Sequence, residues 1–431
     1  MAMVVKNNMS AISTLNTLNK NSSALSKSLQ KVSSGMKING AADDASGYAI
    51  SERMRVQIRG LDQANQNTQN GSSMMKVAEG AVSSTVDILK TLKEKVINAA
   101  NDTNTDADRQ TIQKELDQSI DQINDNANVT YNGKYLIDGS HNSFVSATTT
   151  SMTNQSLNTG TTFASTFDSL TDRNGNSLNI QSSDKVTLSY VKEGITFTTT
   201  VSGASSFNDI IKEASAGLAT SKTTSSYIGR DAAGDSVYTA DSASALTITA
   251  KAAGITSQIS GITFSVTDTK GNVKKSANAL LDNFSESIRA QNGSLDNSIN
   301  LQVGTKSNQA IKVGLTDMRA EALGLQAQNG KTLNISTKEH ANAAINVLDN
   351  AVQKALDQQT TIGAVQSRLE YTSSNLTTAS ENVQASESTI RDADMAKEMT
   401  NYTKNNVLMQ AAQAMLSQAN QSSSSVLSLL Q

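Results

Sequence analysis

The sequence predicts a mainly α-helical chain in which segments from the two ends form a long antiparallel coiled-coil or helical-bundle rod, with a β-rich, α+β middle domain inserted between them. Three observations predict this. Apolar residues step by three and four through both ends of the chain. Period-2 alternation set among Thr, Ser, Gly and Ala replaces that step in the middle. None of the 431 residues is Pro, so no helix is interrupted by a missing backbone N–H.

The first seam runs through Leu15, Leu18, Leu25, Leu29, Val32 and Met36, broken only at Ser22. The stretch GMKINGAADDASG, from Gly35 to Gly47, interrupts it with three glycines and two carboxylates suited to capping a new helix. A second seam follows through Ile50, Met54, Leu61, Ala64, Met75, Ala78, Val82, Leu89, Leu92, Val96 and Ala99. Its polar or Gly steps fall at Gln57, Thr68, Gly71 and Thr85, and the helix it predicts is about 80 Å long at 1.5 Å per residue. NDTNTDAD then supplies a loop in which Thr105 caps a third helix carrying Ile112, Leu116, Ile120 and Ile123 on one face. That helix ends near Asn128, before a hairpin at Asn132-Gly133.

After about Ser140 the composition shifts and the β-rich insert begins. Val186, Leu188 and Tyr190 alternate, Lys192-Glu193-Gly194 turns the chain, and Ile195, Phe197, Thr199 and Val201 alternate back. Ile262, Phe264 and Val266 predict another strand, ending at a turn around Lys270-Gly271-Asn272, and Phe207, Ile210, Ile211 and Ala214 predict one short helix. A further hairpin pairs Ile299 to Val303 with Ala310 to Val313. The last long seam is Ala341, Ile345, Leu348, Val352, Ala355, Ile362, Leu369, Leu376, Val383 and Ile390, with polar steps at Gln359, Gln366, Ser373, Ser380 and Glu387. A coiled coil needs a partner and only these end segments offer one, so the expectation is a rod folded back on itself with the β-rich middle at its tip.

Composition narrows the function. Lys and Arg total 36 against 39 Asp and Glu, a formal charge of -3, so no positive field is present to attract nucleic acid. Apolar runs such as Val426-Leu427 and Leu429-Leu430 fall far short of the roughly 18 residues a membrane span needs. The opening MAMVVKNNMS lacks an apolar signal-peptide region, which predicts either a cytosolic protein or export by another route. Cysteine is absent and His141 and His340 are the only histidines, which removes disulfides, thiolate metal sites and a His-Glu-x-x-His zinc site. Average usage would supply roughly 20 prolines. Their absence also removes slow X-Pro isomerisation, which suits a chain that refolds after threading a channel.

Candidate chemistry has structural explanations at each place. Asp43-Asp44 has the carboxylates for a divalent cation, but two acids at a helix start satisfy its free N–H groups and its dipole. Asp392-Ala393-Asp394 has the Asp-x-Asp form of metal-dependent glycosyl transfer, yet it interrupts a heptad region with no strand before it, and reads as the start of a terminal helix. No phosphate-binding glycine loop occurs. Arg53, Arg55 and Arg59 beside Glu52 punctuate a helix whose other face is apolar, and read as a solvated or subunit-contacting face. No enzyme activity and no cofactor are expected.

The stretch GMKINGAADDASGYAISERMRVQIRGLDQANQNTQNG, with VAEGA from Val77, resembles the N-terminal signature of bacterial flagellin. LGLQ from Leu323, IGAVQSRLEYTSSNL from Ile362, IRDADMAKEM from Ile390, QANQ and the closing VLSLLQ resemble its C-terminus. Together the matches span about two-thirds of the chain, leaving His141 to Asp296 unmatched.

The resemblance implies a terminal-helix domain of residues 1–42 and 386–431 forming a filament core. A helical rod of 43–140 and 297–385 surrounds it, and a variable surface domain occupies 141–296. It implies an extracellular filament subunit used for motility and exported unfolded through the flagellar type III apparatus. Partners would be an export chaperone on the C-terminal segment, filament cap and hook-junction proteins, and a host Toll-like receptor. The rival reading within the family is a hook-filament junction protein, which shares the terminal-helix plan, and a secreted coiled-coil adhesin is the rival of another class.

Self-association is supported by the seams themselves, because each is diluted by Asn, Gln and Ser and becomes stable when neighbours cover it. The candidate polymerisation interface is Leu15, Leu18, Leu25, Leu29, Val32, Met399, Met415, Leu427, Leu429 and Leu430. The receptor-reading segment of the family aligns with Leu89 to Ala100, assisted by Glu115. Leu92 and Glu94 keep the family's character there, whereas Thr91 stands in place of Arg and Lys95 in place of Leu, so receptor signalling is expected to be weak.

Overall fold

The computed structural model describes residues 8–214 and 218–429. Helices α1 (Met9–Ser34), α2 (Ala45–Ala99) and α3 (Asp106–Ala127) come first, then the hairpin β1 (Thr130–Tyr131) and β2 (Lys134–Tyr135). Next are β3 (Ser151–Asn154), β4 (Lys185–Lys192), β5 (Ile195–Ser202), α4 (Phe207–Glu213), β6 (Leu218–Ser225), β7 (Tyr227–Arg230), β8 (Ser236–Tyr238) and β9 (Ala245–Ala250). The order closes with β10 (Ile259–Thr267), α5 (Lys275–Leu281), β11 (Phe284–Ile288), β12 (Ile299–Gln302), β13 (Ala310–Val313), α6 (Ala320–Leu323), α7 (Lys338–Arg391) and α8 (Met395–Leu429).

Local chemistry sets the helix ends. The Thr105 hydroxyl accepts the Asp108 N–H at 3.3 Å while the Asp108 carboxylate accepts the Thr105 N–H at 2.9 Å, a capping box that starts α3. Asn132 and Gly133 both have positive φ, which the two-residue turn between β1 and β2 requires. Asp44 accepts the N–H groups of Ser46 and Gly47 at 3.0 Å, and Asp394 accepts those of Ala396 and Lys397 at 3.0 and 3.2 Å. Both acids are helix caps.

The expected seam of α2 is buried at every step from Leu61 through Ala64, Thr68, Gly71, Met75, Ala78, Val82, Thr85, Leu89, Leu92 and Val96 to Ala99. Nearer the N-terminus it shifts by one, with Ile58 taking the place expected for Gln57, whose amide stays in water. In α7 the buried stripe contains Ala344, Ala351 and Gln358 where Ile345, Val352 and Gln359 were expected. The small alanines are fully covered, while the branched side chains of Ile345 and Val352 lie beside them, half-buried. Helix α7 runs unbroken through 386, so the helical break at this end lies at Asp392–Asp394.

The chain divides into two compact units. The first comprises Met1–Asn67, Val303–Gln309 and Tyr371–Gln431. In it α1 packs along α8 in antiparallel fashion, since Asn8 bonds to Ala419, Asn21 to Leu408 and Asn405 to Ser28.

The second unit comprises Thr68–Gln302 and Ala310–Glu370. Its insert holds an antiparallel sheet of order β10-β4-β5 and another of order β11-β3-β9-β6. The expected hairpins form, with Lys192 facing Ile195 and Ile299 facing Val313. Phe167, Tyr190, Phe207 and Phe264 fill the core between these strands and α4. A bulge in β10 seats α7: a Cβ on Gly261 would lie 3.1 Å from the Val347 backbone nitrogen, and Asn346 and Asn350 donate to the carbonyls of Ile262 and Ser260 at 3.1 and 2.8 Å.

Candidate interaction surface

Helix α1 begins with the Asn8 side chain accepting the Ala11 N–H and ends at Gly35, whose φ of 70° suits the left-handed cap. Between these caps the stripe turned inward is Ala11, Thr14, Leu18, Asn21, Leu25, Ser28 and Val32, at three- and four-residue spacing. Three of these seven, Thr14, Asn21 and Ser28, are polar. Asn21 donates from Nδ2 to the Leu408 carbonyl at 3.2 Å, and Asn405 donates to the Ser28 hydroxyl at 3.2 Å. These bonds fix partners for amides that would otherwise be costly in a seam.

This corrects the sequence-derived seam. Leu18, Leu25 and Val32 lie in the contact between α1 and α8 of the same chain, but Leu15 and Leu29 lie one step off it, 45% and 52% exposed. Apolarity alone placed them inside; the pair instead puts small and amide side chains in its close contact. On α8 the inward stripe includes Asn401, Asn405, Met409, Ala412, Leu416 and Ala419, while Met399 and Met415 are 46% and 62% exposed. At 100° per residue those two methionines are about 160° apart around the helix, so α8 presents apolar side chains on both flanks of its seam. Leu430 lies outside the described residues, as do the side chains of Leu427 and Leu429.

The breaks at the ends of α1 and α7 meet. Met36 and Asp392 form an antiparallel bridge, in which the Lys37 N–H donates to the Arg391 carbonyl at 2.7 Å and the Ala393 N–H to that of Gly35 at 2.9 Å. The Arg391 guanidinium donates to Glu52 at 2.7 Å. That bond, with Arg55 adding a second positive charge nearby, holds the Glu52 carboxyl below its ordinary value. Sequence periodicity cannot find such a contact, because it joins residues 339 positions apart.

The segment aligned with receptor recognition divides by exposure. Leu89 and Leu92 are 0% and 2% exposed in the seam of α2. Thr91, Glu94 and Glu115 are exposed, and Lys95 Nζ lies 3.0 Å from Glu115 Oε1. The Thr91 hydroxyl is spent on the Asp87 carbonyl at 3.0 Å.

A separate cavity of about 450 Å³ in the second unit is lined by Asp138, Arg289, Asn292, Asp317, Arg319 and Lys354 among others. Its cations are committed: Arg319 forks onto Asp317, Arg289 bonds to Asp357, and buried Lys354 sits 3.7 Å from buried Glu286. Burial holds the Lys354 ammonium below its ordinary value. Among the described residues no cluster of His, Asp or Glu is arranged to hold a metal ion, and no helix is long and apolar enough to cross a membrane.

Comparison with known proteins places these surfaces in context. Residues 5–142 match the family model described as the bacterial flagellin N-terminal helical region, and residues 345–430 match the bacterial flagellin C-terminal helical region. A flagellin of Clostridium tyrobutyricum is 36% identical, with the alignment covering 97% of this chain and 99% of that protein. A flagellin of Bacillus subtilis is 31% identical, covering 99% of this chain and all of its own. The flagellar filament 33 kDa core protein of Treponema phagedenis is likewise 31% identical, with 99% and 100% covered.

Proposed function

The chain belongs to the bacterial flagellin family, and from that premise we infer that it is a structural subunit of the flagellar filament which polymerises through α1 and α8. One observation carries the choice of contact. The pair formed by α1 and α8 admits Thr14, Asn21, Ser28 and Asn405 to its seam beside Leu18, Leu25 and Val32, and leaves Leu15, Leu29, Met399 and Met415 about half exposed. Burying the exposed half of each against neighbouring subunits is worth about 0.7–1.5 kcal/mol. Because the apolar residues on α8 flank its seam on both sides, each subunit meets neighbours in more than one direction. A heterologous contact repeated without closure builds a helical fibre.

In this reading Leu18, Leu25 and Val32 hold the pair together, and Leu427, Leu429 and Leu430 extend the intersubunit contact at its end. Residues 1–42 and 386–431 are the filament core, 43–140 and 297–385 the rod around it, and 141–296 a surface module. The helical breaks at Gly35–Asp44 and Asp392–Asp394 support a joint between core and rod.

The protein acts outside the cell, after export as an unfolded chain, and a chain without Pro refolds without an isomerisation delay. An export chaperone on the C-terminal segment, the filament cap and the hook-junction proteins are its further partners. A host Toll-like receptor reads the exposed residues Thr91, Glu94 and Glu115 together with the half-buried Lys95, and reads them weakly. The role is non-enzymatic.

Negative-stain microscopy of the purified protein after salting-out tests the assignment. Long uniform filaments support it, whereas dispersed particles or amorphous aggregate point to a junction protein or a secreted adhesin.

A further inference from the structure

Arg391 joins three stretches of the first unit. Its side chain is 8% exposed, its Nη1 donates to Glu52 at 2.7 Å, and its Nε lies 3.3 Å from the Met36 sulfur. The guanidinium carbon sits 5.7 Å from the centre of the Tyr48 ring, and Glu387 lies 4.0 Å away on the preceding turn of α7. Its own carbonyl accepts the N–H of Lys37 at 2.7 Å and of Ile38 at 3.5 Å. Tyr48 and Glu52 belong to the first turns of α2, Met36 to Ile38 to the break after α1, and Arg391 ends α7.

The backbone bridge between Gly35–Lys37 and Arg391–Ala393 is short, and a short two-stranded contact twists about its own axis. Beside it the buried Ile38 side chain packs against Gly47 of α2, a non-directional apolar contact. The Arg391 guanidinium adds direction, because a planar fork can hold a carboxylate at its edge and a ring at its face in one orientation only. A nearly buried cation deprived of its acids is strongly disfavoured, so arrangements that part Arg391 from Glu52 and Glu387 are excluded.

We propose that Arg391 is a positioning residue that fixes the direction in which α1 and α8 leave the adjoining ends of α2 and α7, and thereby sets how subunits register in the polymer. The proposal rests on the assembly reading given above. Lys in place of Arg391 supplies charge without the fork, and Met supplies neither.

The test compares filaments of the wild type, Arg391→Lys, Arg391→Met and Glu52→Gln by cryo-electron microscopy and by amide hydrogen exchange. In the Lys and Gln variants, filaments are expected to form with an altered or heterogeneous subunit twist. The Lys37 and Ala393 amides should exchange roughly tenfold faster in those filaments, as loss of a charge-assisted hydrogen bond implies. Wild-type twist together with unchanged exchange in these two variants overturns the proposal. Should Arg391→Met fail to assemble, the milder pair still decides. Absence of filaments from the wild type overturns the assembly reading itself, and the proposal with it.

Discussion

Asn21 donates from Nδ2 to the backbone carbonyl of Leu408, so an asparagine occupies the seam between α1 and α8 while the leucine side chain of its partner remains 42% exposed. The usual distribution of a two-helix pair, apolar inside and polar outside, is inverted at this contact. A pair diluted this way is marginal alone and leaves apolar side chains, Leu15, Leu29, Met399 and Met415 among them, for neighbours to cover.

Replacing Leu15, Leu29, Met399 and Met415 with Ser should leave the fold of the dissolved subunit unchanged, because all four side chains are already exposed in it. Polymerisation should weaken by roughly 0.7–1.5 kcal/mol for each side chain whose exposed half neighbours bury. Sedimentation of filaments across a concentration series measures the critical concentration, and an unaltered value would remove these residues from the contact. The same change at Leu18 and Leu25 should instead reduce the helicity of the subunit itself.

How much of this was legible in the sequence depends on what each element uses as its signal. The stripe from Leu61 to Ala99 was readable because nearly every three- or four-residue step is apolar and buried. The seam of α1 was misplaced at Leu15 and Leu29 because periodicity ranks apolar residues, whereas the contact selects Thr14, Asn21 and Ser28. Hairpins with positive-φ turns at Asn132-Gly133 and Glu193-Gly194 were visible from their turn residues. Strand β3 was not, since Ser151, Met152, Thr153 and Asn154 are all buried and carry one apolar side chain between them; β9 does alternate Leu246 and Ile248 with Thr247 and Thr249, but it too is buried on both faces. The Glu52–Arg391 contact and the cavity at Lys354 arise from long-range meeting of segments, for which the sequence carries no local signal.

Asp282 offers a pH test of the second unit. Burial raises its carboxyl to about 6, against the pull of the Phe264 N–H and the Asn346 amide. The unfolded chain holds this proton only up to about pH 4, so between those values the folded state binds more protons and stability falls as pH rises. Asp282→Asn keeps an oxygen to accept both hydrogen bonds without the charge. It should stabilise the unit by up to about 3 kcal/mol at pH 7 and by little at pH 4. Thermal melting at both values checks this, and an equal shift at the two would contradict it.

Glu52 predicts the opposite trend at the joint of the first unit. Its carboxyl is held low mainly by the Arg391 hydrogen bond. The stabilisation is therefore present above the ordinary carboxylate value and is lost as pH falls through the lowered one. Filaments brought to acid should open at this joint, read by exchange of the Lys37 amide, and Glu52→Gln should make that exchange independent of pH below 5 after correction for intrinsic exchange rates. A wild-type acid response persisting in the variant would assign it to another group.

Receptor signalling supplies a prediction at α2. Thr91→Arg adds a five-donor fork at an exposed position, and Lys95→Leu removes the ion pair that occupies Glu115. Together they should raise the potency of monomeric protein in a Toll-like receptor reporter assay about tenfold or more, as contacts worth 1–3 kcal/mol imply. Equal potency of the two proteins would exclude these positions.

The central claim, that α1 and α8 are completed by neighbouring subunits, is tested most directly by amide hydrogen exchange of the same protein dissolved and polymerised. Amides throughout both helices should gain protection on assembly, while those of β4, β9 and β10 should remain as they were. Full protection of α1 and α8 already present in the dissolved subunit, with no gain in the filament, would contradict the claim.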